Sequence, residues 1–177
     1  MKKDIIVFRY GHRTVRDYRV TSHCSLVARA FGANKIIVCG DDDASMKKSV
    51  DDITERWGGP FEVTFVDNWE IELPKLQKEG YKLVHLTMYG EQIHKKDKEI
   101  AKFDKICIII GSQKVEREVY HLSDFNISVT NQPHSEIAAL AVTLDRIQDG
   151  KEFDKKFEKS KTEIIPSKNG KEVIALK

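Results

Sequence analysis

The chain has 177 residues, enough for one sizeable core, with 33% charged and 40% hydrophobic residues in a soluble, cytoplasmic-looking balance. No apolar run approaches the ~20 residues that a membrane span needs. The formal net charge of +2 hides a split: residues 1–40 carry eight Lys or Arg against two Asp, and residues 41–80 carry five against eleven acidic residues. One basic and one acidic segment in a single domain imply polarised surfaces, the basic one being a candidate polyanion footprint.

Taken in order, the chain opens on Met1-Lys2-Lys3-Asp4, which lacks the small-residue cleavage site of a signal peptide, and runs straight into an apolar strand at residues 5–8. An arginine- and tyrosine-rich segment follows at 9–19, and then a helix at 22–31 stopped by Gly32. A strand at 35–39 precedes Asp41-Asp42-Asp43, which reads as a helix cap complementing the N-terminal dipole of a helix at 44–57. Further strands fall at 63–66, 82–87, 105–111 and 127–130, with helices at 93–103 and 137–144. The strands are continuous apolar runs rather than alternations. Such runs interleaved with helices predict an α/β fold with a parallel sheet covered on both faces. His85, inside one of these runs, reads as a satisfied core histidine.

Residues 151–161 read as an exposed helix with Phe153 and Phe157 four apart. Two apolar runs around Ser167-Lys168-Asn169-Gly170 then predict a β-hairpin. The organisation expected is one domain over 1–150 and an extension over 151–177. Cys24, Cys39 and Cys107 share no close spacing, so neither a disulfide framework nor a zinc site is expected, and the compartment is reducing. No metal is indicated.

No GxGxxG follows a strand, and GxxxxGK[ST], HExxH and GxSxG are all missing. Polar density collects instead at the C-terminal ends of the strands, where open α/β sheets bind ligands. Four clusters stand there. Residues 9–19 hold Arg9, His12, Arg13, Arg16 and Arg19 with Tyr10 and Tyr18, a set suited to phosphate contact and base stacking. Thr21-Ser22-His23 opens the helix that carries Arg29, a lone charge in an apolar stretch. Leu86-Thr87-Met88-Tyr89-Gly90 and Gly111-Ser112-Gln113-Lys114-Val115 end two strands. Finally Val129-Thr130-Asn131-Gln132-Pro133-His134-Ser135-Glu136 precedes an apolar helix, with Pro133 expected in its first turn.

The segments Arg9-Tyr10-Gly11-His12-Arg13, Thr21-Ser22-His23 through Ala28-Arg29-Ala30-Phe31-Gly32-Ala33, Val84 to Gly90, and Asn131-Gln132-Pro133-His134-Ser135-Glu136 resemble the archaeal tRNA (cytidine-56-2′-O)-methyltransferases of the SPOUT superfamily. The resemblance covers nearly the whole chain. It implies a SPOUT-type sheet with a C-terminal deep trefoil knot, a homodimer, S-adenosyl-L-methionine as cofactor and tRNA as substrate. Carried over by position, the cofactor residues are Leu86, Thr87, Tyr89 and Gly90, then Gly111 to Val115, then Val129 to Glu136. Arg29 falls at the first-motif arginine, with His23 six residues before it, and His134 falls near the third-motif asparagine; these are the expected catalytic residues. Gln113 departs from a usual glutamate and Glu116 from an expected proline. Other readings are a SPOUT-fold methyltransferase acting on another RNA position or on a base, and a non-catalytic RNA-binding module.

Overall fold

The structure, a computed structural model, describes residues 3–176. The elements run β1 (Asp4–His12), α1 (Thr14–Ala30), β2 (Lys35–Gly40), α2 (Ala44–Trp57), β3 (Glu62–Val66), α3 (Trp69–Lys78), β4 (Lys82–Gln92), α4 (Ile93–Ile100), β5 (Lys105–Gly111), α5 (Arg117–Leu122), β6 (Phe125–Ser128) and α6 (Glu136–Gln148). A short 3-10 turn at Lys151–Asp154 and the strands β7 (Thr162–Ile165) and β8 (Glu172–Ala175) complete the chain.

The first six strands form one sheet in the order β3-β2-β1-β5-β4-β6, every pair parallel. Its continuous apolar strands are explained by their two covered faces. Ile5 and Val7 of β1 and Ile106, Ile108 and Ile110 of β5 pack toward Cys24, Met46, Ile93 and Leu140 on α1, α2, α4 and α6. Ile6, Phe8, Cys107 and Ile109 point the other way, against Leu73 and Leu76 of α3 and Val119 of α5. The three cysteines are free and buried. Among the described residues no helix is long and apolar enough to cross a membrane, and no group of three His, Cys, Asp or Glu side chains is placed to hold a metal.

Asp43 caps α2 as expected, its carboxylate accepting from the Met46 N–H at 2.9 Å. The first helix departs from expectation: it starts at Thr14, not near residue 22. Two carboxylates make the early start. Asp17 reaches back to the Arg13 N–H at 3.0 Å, and Asp41 accepts from the Thr14 N–H at 3.0 Å, so two donors at the helix start are satisfied. The arginine run is therefore largely helical. Two short helices, α3 and α5, were also not anticipated.

The helix expected over 151–161 is absent beyond the short turn. Asp149 and Gly150 adopt left-handed backbone that ends α6. Phe153 then stands 6.4 Å from the Phe31 ring, and Glu158 pairs with Gly59 through two backbone hydrogen bonds of 2.8 and 2.9 Å. The two phenylalanines thus serve different partners on the body of the protein. The hairpin is present, β7 pairing antiparallel with β8. Pro133 lies before α6, whose cap is Ser135, the Oγ accepting from the Ile137 N–H at 3.2 Å.

Candidate active site

A cavity of about 460 Å³ opens at the C-terminal ends of β4, β5 and β6. Leu86, Thr87 and Tyr89 line it from β4; Gly111, Gln113, Lys114 and Val115 from β5 and the turn after it; Val129, Gln132, Pro133, His134 and Glu136 from the segment before α6. Three stretches far apart in sequence, all expected to hold cofactor, therefore meet in one place. His85, Met88, Ile110, Tyr120, Ile127 and Ala139 also line it. Of the remaining expected residues, Gly90, Ser112, Thr130, Asn131 and Ser135 are not on the wall, and four of the five have a different task.

Two of these shape the loops. β4 leaves β6 after Leu86 and returns at Glu91, both positions facing Ile127, so residues 87–90 bulge out over the pocket. Asn131 holds that bulge: its Nδ2 donates to the carbonyls of Met88 at 2.8 Å and Gly90 at 3.2 Å, and its Oδ1 accepts from Gln92 at 3.2 Å. Gly90 passes so near β6 that a Cβ would lie 2.5 Å from backbone atoms of Asn126 and Ile127. This crossing is consistent with the knotted arrangement expected for the fold. Ser112 donates its hydroxyl to the Tyr10 carbonyl at 2.9 Å and so fixes the turn after β5 to β1. Ser135 is the α6 cap already described.

The inner wall carries a polar chain. The His85 Nδ1 lies 2.9 Å from Asn126 Oδ1, and Asn126 Nδ2 donates to the Tyr120 carbonyl at 2.9 Å. Asn126 thus presents an acceptor, and the His85 proton sits on Nδ1. Tyr120 stands edge-on to the His85 ring, 4.5 Å between centroids, with its hydroxyl 3.0 Å from Thr87 Oγ1. Burial lowers the His85 pKa, opposed by the Asn126 hydrogen bond. His85 is the satisfied buried histidine expected, and it is also part of the pocket.

Arg9 and His12, expected on an RNA-facing surface, are buried instead. The Arg9 guanidinium donates from Nε to Thr21 at 3.3 Å, from one terminal nitrogen to the Gly111 carbonyl at 3.0 Å and from the other to Glu136 Oε1 at 3.0 Å. A buried guanidinium needs such partners, and here they tie β1 to two loops of the pocket. His12 Nδ1 is 2.9 Å from Thr21 Oγ1, and its Nε2 is 3.7 Å from Asp43. Burial lowers the His12 pKa, against the pull of Asp43. Arg13 is half-exposed and bound to Asp17 at 3.0 Å. Arg16 and Arg19 are exposed on α1 beside Tyr18, the two members of the run free to meet a polyanion.

The expected catalytic residues separate. His134 lines the cavity, exposed, its Nδ1 3.0 Å from the Ser135 carbonyl oxygen. His23 is exposed on the outer face of α1 and lines no part of the cavity. Arg29 lies in the last turn of α1, which runs back from the pocket edge of the sheet to the opposite edge, a span of roughly 20 Å at 1.5 Å per residue. There its side chain is buried, donates to the Gly58 carbonyl and stacks on Phe157 with 4.8 Å between guanidinium carbon and ring centre. The charge in the apolar helix has structural partners within the chain, and Arg29 lines no part of the cavity of its own chain.

Comparison with known proteins gives this geometry a context. A family model described as tRNA ribose 2′-O-methyltransferase, aTrm56, matches residues 57–174, a span that contains every residue lining the cavity. The tRNA (cytidine(56)-2′-O)-methyltransferase of Nitrosopumilus maritimus is 49% identical over 169 residues, covering 96% of this chain and 95% of its own. That of Thermococcus kodakarensis is 47% identical over 180 residues, covering 99% of each. The chain belongs to the tRNA (cytidine(56)-2′-O)-methyltransferase family.

The fold of this family member is that of SPOUT proteins. A TrmH/SpoU tRNA-modifying enzyme of A. aeolicus superposes with a TM-score of 0.64 at 16% identity, over 86% of this chain and 78% of its own. The methyltransferase AviRb of Streptomyces viridochromogenes, solved in complex with AdoMet, superposes with a TM-score of 0.59 at 17% identity, over 85% and 59%.

Proposed function

We propose that this family member transfers the methyl group of S-adenosyl-L-methionine to the ribose 2′-hydroxyl of cytidine 56 in the T-loop of tRNA, with the cofactor held in the cavity at the ends of β4, β5 and β6. The observation that carries the reading is the convergence of three loops on one cavity of about 460 Å³, within the usual size for a small-molecule site. The residues fit such a group. Gly111 admits the backbone closely, since a Cβ there would lie 2.6 Å from Val115, and peptide groups of the turn can hold an adenine edge. Leu86, Ile110, Ile127 and Val129 supply an apolar floor. When bound, the cofactor supplies a methyl group on a positively charged sulfur. The chain must align the ribose oxygen with that methyl and exclude water, and the 87–90 bulge, which Asn131 keeps in place over the cavity, suits the second task.

Arg16 and Arg19, with half-exposed Arg13, support a tRNA approach along α1, whose first turn lies beside the pocket edge of the sheet. A tRNA substrate supports a cytoplasmic location. We further read it as a two-fold dimer, supported by apolar groups left exposed on two helices, Val15 and Tyr18 on α1 and Ala138 and Val142 on α6. Sedimentation at twice the 20.3 kDa of one chain would agree with the dimer, and a monomer would refute it. The decisive measurement for function is incubation with labelled S-adenosyl-L-methionine and unmodified tRNA, followed by digestion and mass spectrometry. A methyl on the ribose of cytidine 56 supports the reading; a methyl on a base or at another position overturns it.

A further inference from the structure

We propose that Glu136 accepts the proton of the ribose 2′-hydroxyl during methyl transfer, with Arg9 as the residue that positions it. This rests on the function proposed above. The transfer needs a proton acceptor within reach of the reacting oxygen, and the cavity wall is the place to look for one. The titratable side chains lining it are His85, Tyr89, Lys114, Tyr120, His134 and Glu136. His85 gives its Nδ1 proton to Asn126 and burial lowers its pKa, which weakens its other ring nitrogen as a base, while an ammonium such as that of Lys114 offers donors only. His134 is exposed at the rim, and its Nδ1 faces the Ser135 carbonyl. Glu136 is the one carboxylate on the wall.

Its geometry suits the task. One oxygen, Oε1, is fixed by the buried Arg9 at 3.0 Å, and the side chain as a whole is 32% exposed and lines the cavity, with Oε2 outside that ion pair. Arg9 is itself immobilised by the Gly111 carbonyl and Thr21, so the carboxylate is held at a set place relative to the β5 turn on the same wall. The pairing also answers a burial problem. A guanidinium that is 1% exposed requires a counter-charge, and the Glu136 carboxylate is that charge.

The chemistry balances without a strong base. The ribose oxygen forms its bond to the methyl carbon as the carbon–sulfur bond breaks; sulfur keeps that electron pair and loses its positive charge. As the new bond forms, the oxygen becomes positively charged and its proton strongly acidic, so a carboxylate is basic enough to take it. The proton passes to Oε2 of Glu136 and leaves to solvent when product departs.

The test is a comparison of wild type with Glu136→Gln, which keeps the shape and removes the acceptor. Single-turnover methylation of unmodified tRNA should fall by about 10²- to 10⁴-fold, the usual range for a lost general base. S-adenosyl-L-methionine affinity by calorimetry and tRNA affinity by filter binding should stay within about threefold of wild type. Turnover within about tenfold of wild type, or a loss of cofactor affinity matching the loss of rate, would overturn the proposal. The wild-type pH–rate profile gives a second reading that needs no variant to fold. A carboxylate acceptor loses activity only in acid, whereas an imidazole acceptor would lose it across the neutral range. A limb in the neutral range would therefore also overturn the assignment. If wild type makes no methylated cytidine 56 at all, the function itself fails, and the proposal falls with it.

Discussion

The guanidinium of Arg29 and the ring of Phe157 stack at 4.8 Å, joining the end of α1 to the C-terminal extension. The same guanidinium donates to the Gly58 carbonyl at the end of α2. Arg29→Ala removes a donor from that carbonyl and the platform from Phe157. It should cost about 1–3 kcal/mol of stability, read as a lower denaturation midpoint. Methyl transfer per folded molecule should be nearly unchanged. Phe157→Ala should cost less, about 1 kcal/mol, and the two should be non-additive. Loss of turnover with an unaltered midpoint would restore Arg29 to the chemistry.

Cofactor binding is expected at one site per chain by calorimetry, without added divalent ion and unaffected by a chelator. Gly90→Ala probes the crossing of β4 over β6, where the new methyl would meet backbone at 2.5 Å. The bulge must shift to admit it, so affinity should fall at least about tenfold, equivalent to about 1.4 kcal/mol. Unchanged affinity would mean that the 87–90 bulge is not part of the cofactor site.

On α1, Arg16→Ala and Arg19→Ala should each weaken tRNA binding and lower the slope of log affinity against log salt by about one. Cofactor affinity and thermal midpoint should not move. Arg9→Ala should behave oppositely, lowering the midpoint because Glu136 and the Gly111 carbonyl lose a buried partner. Salt titrations and melts of the three variants separate the two classes.

Stability should fall as pH drops below the neutral range. Burial lowers the pKa of both His85 and His12 in the folded state. Above the unfolded value of about 6.5, both states are neutral and the contribution is complete. As pH falls through 6.5 the unfolded chain takes up protons that the folded chain refuses, so the folded state loses ground until its own lower pKa values are reached. Midpoints measured between pH 7.5 and 5 should decline, and His85→Asn should flatten the decline.

Much of the fold was legible because a strand covered on both faces leaves an unbroken apolar run, as in residues 5–8 and 105–111. The pocket loops were legible because polar clusters end those runs. The helices α3 and α5 escaped because one contains Pro74 and the other is six residues long, too short for a repeated helical pattern to stand out. Arg9 and His12 were misplaced for a related reason. A charged residue at a strand end looks solvent-facing in sequence, and only the tertiary partners Glu136, Thr21 and Asp43 show that it is buried. The burial of Arg29 against Gly58 and Phe157 was not legible because spacing along a helix says nothing about which end of the sheet that helix has reached. Glu136 was legible as a pocket residue, but its pairing with Arg9, 127 positions away, was not.

The place of β1 in the sheet bears on how the chain is made. β1 lies between β2, which follows it closely, and β5, whose residues 105–111 are synthesised much later. Until β5 leaves the ribosome, one edge of the strand Ile5-Ile6-Val7-Phe8 offers unpaired backbone groups and apolar side chains to any other chain nearby. A nascent chain stalled before residue 105 should therefore be sticky and easily digested, and one released past α6 compact and resistant. Limited proteolysis of nascent chains arrested at successive lengths should show protection of the N-terminal segment arriving in one late step rather than growing with length.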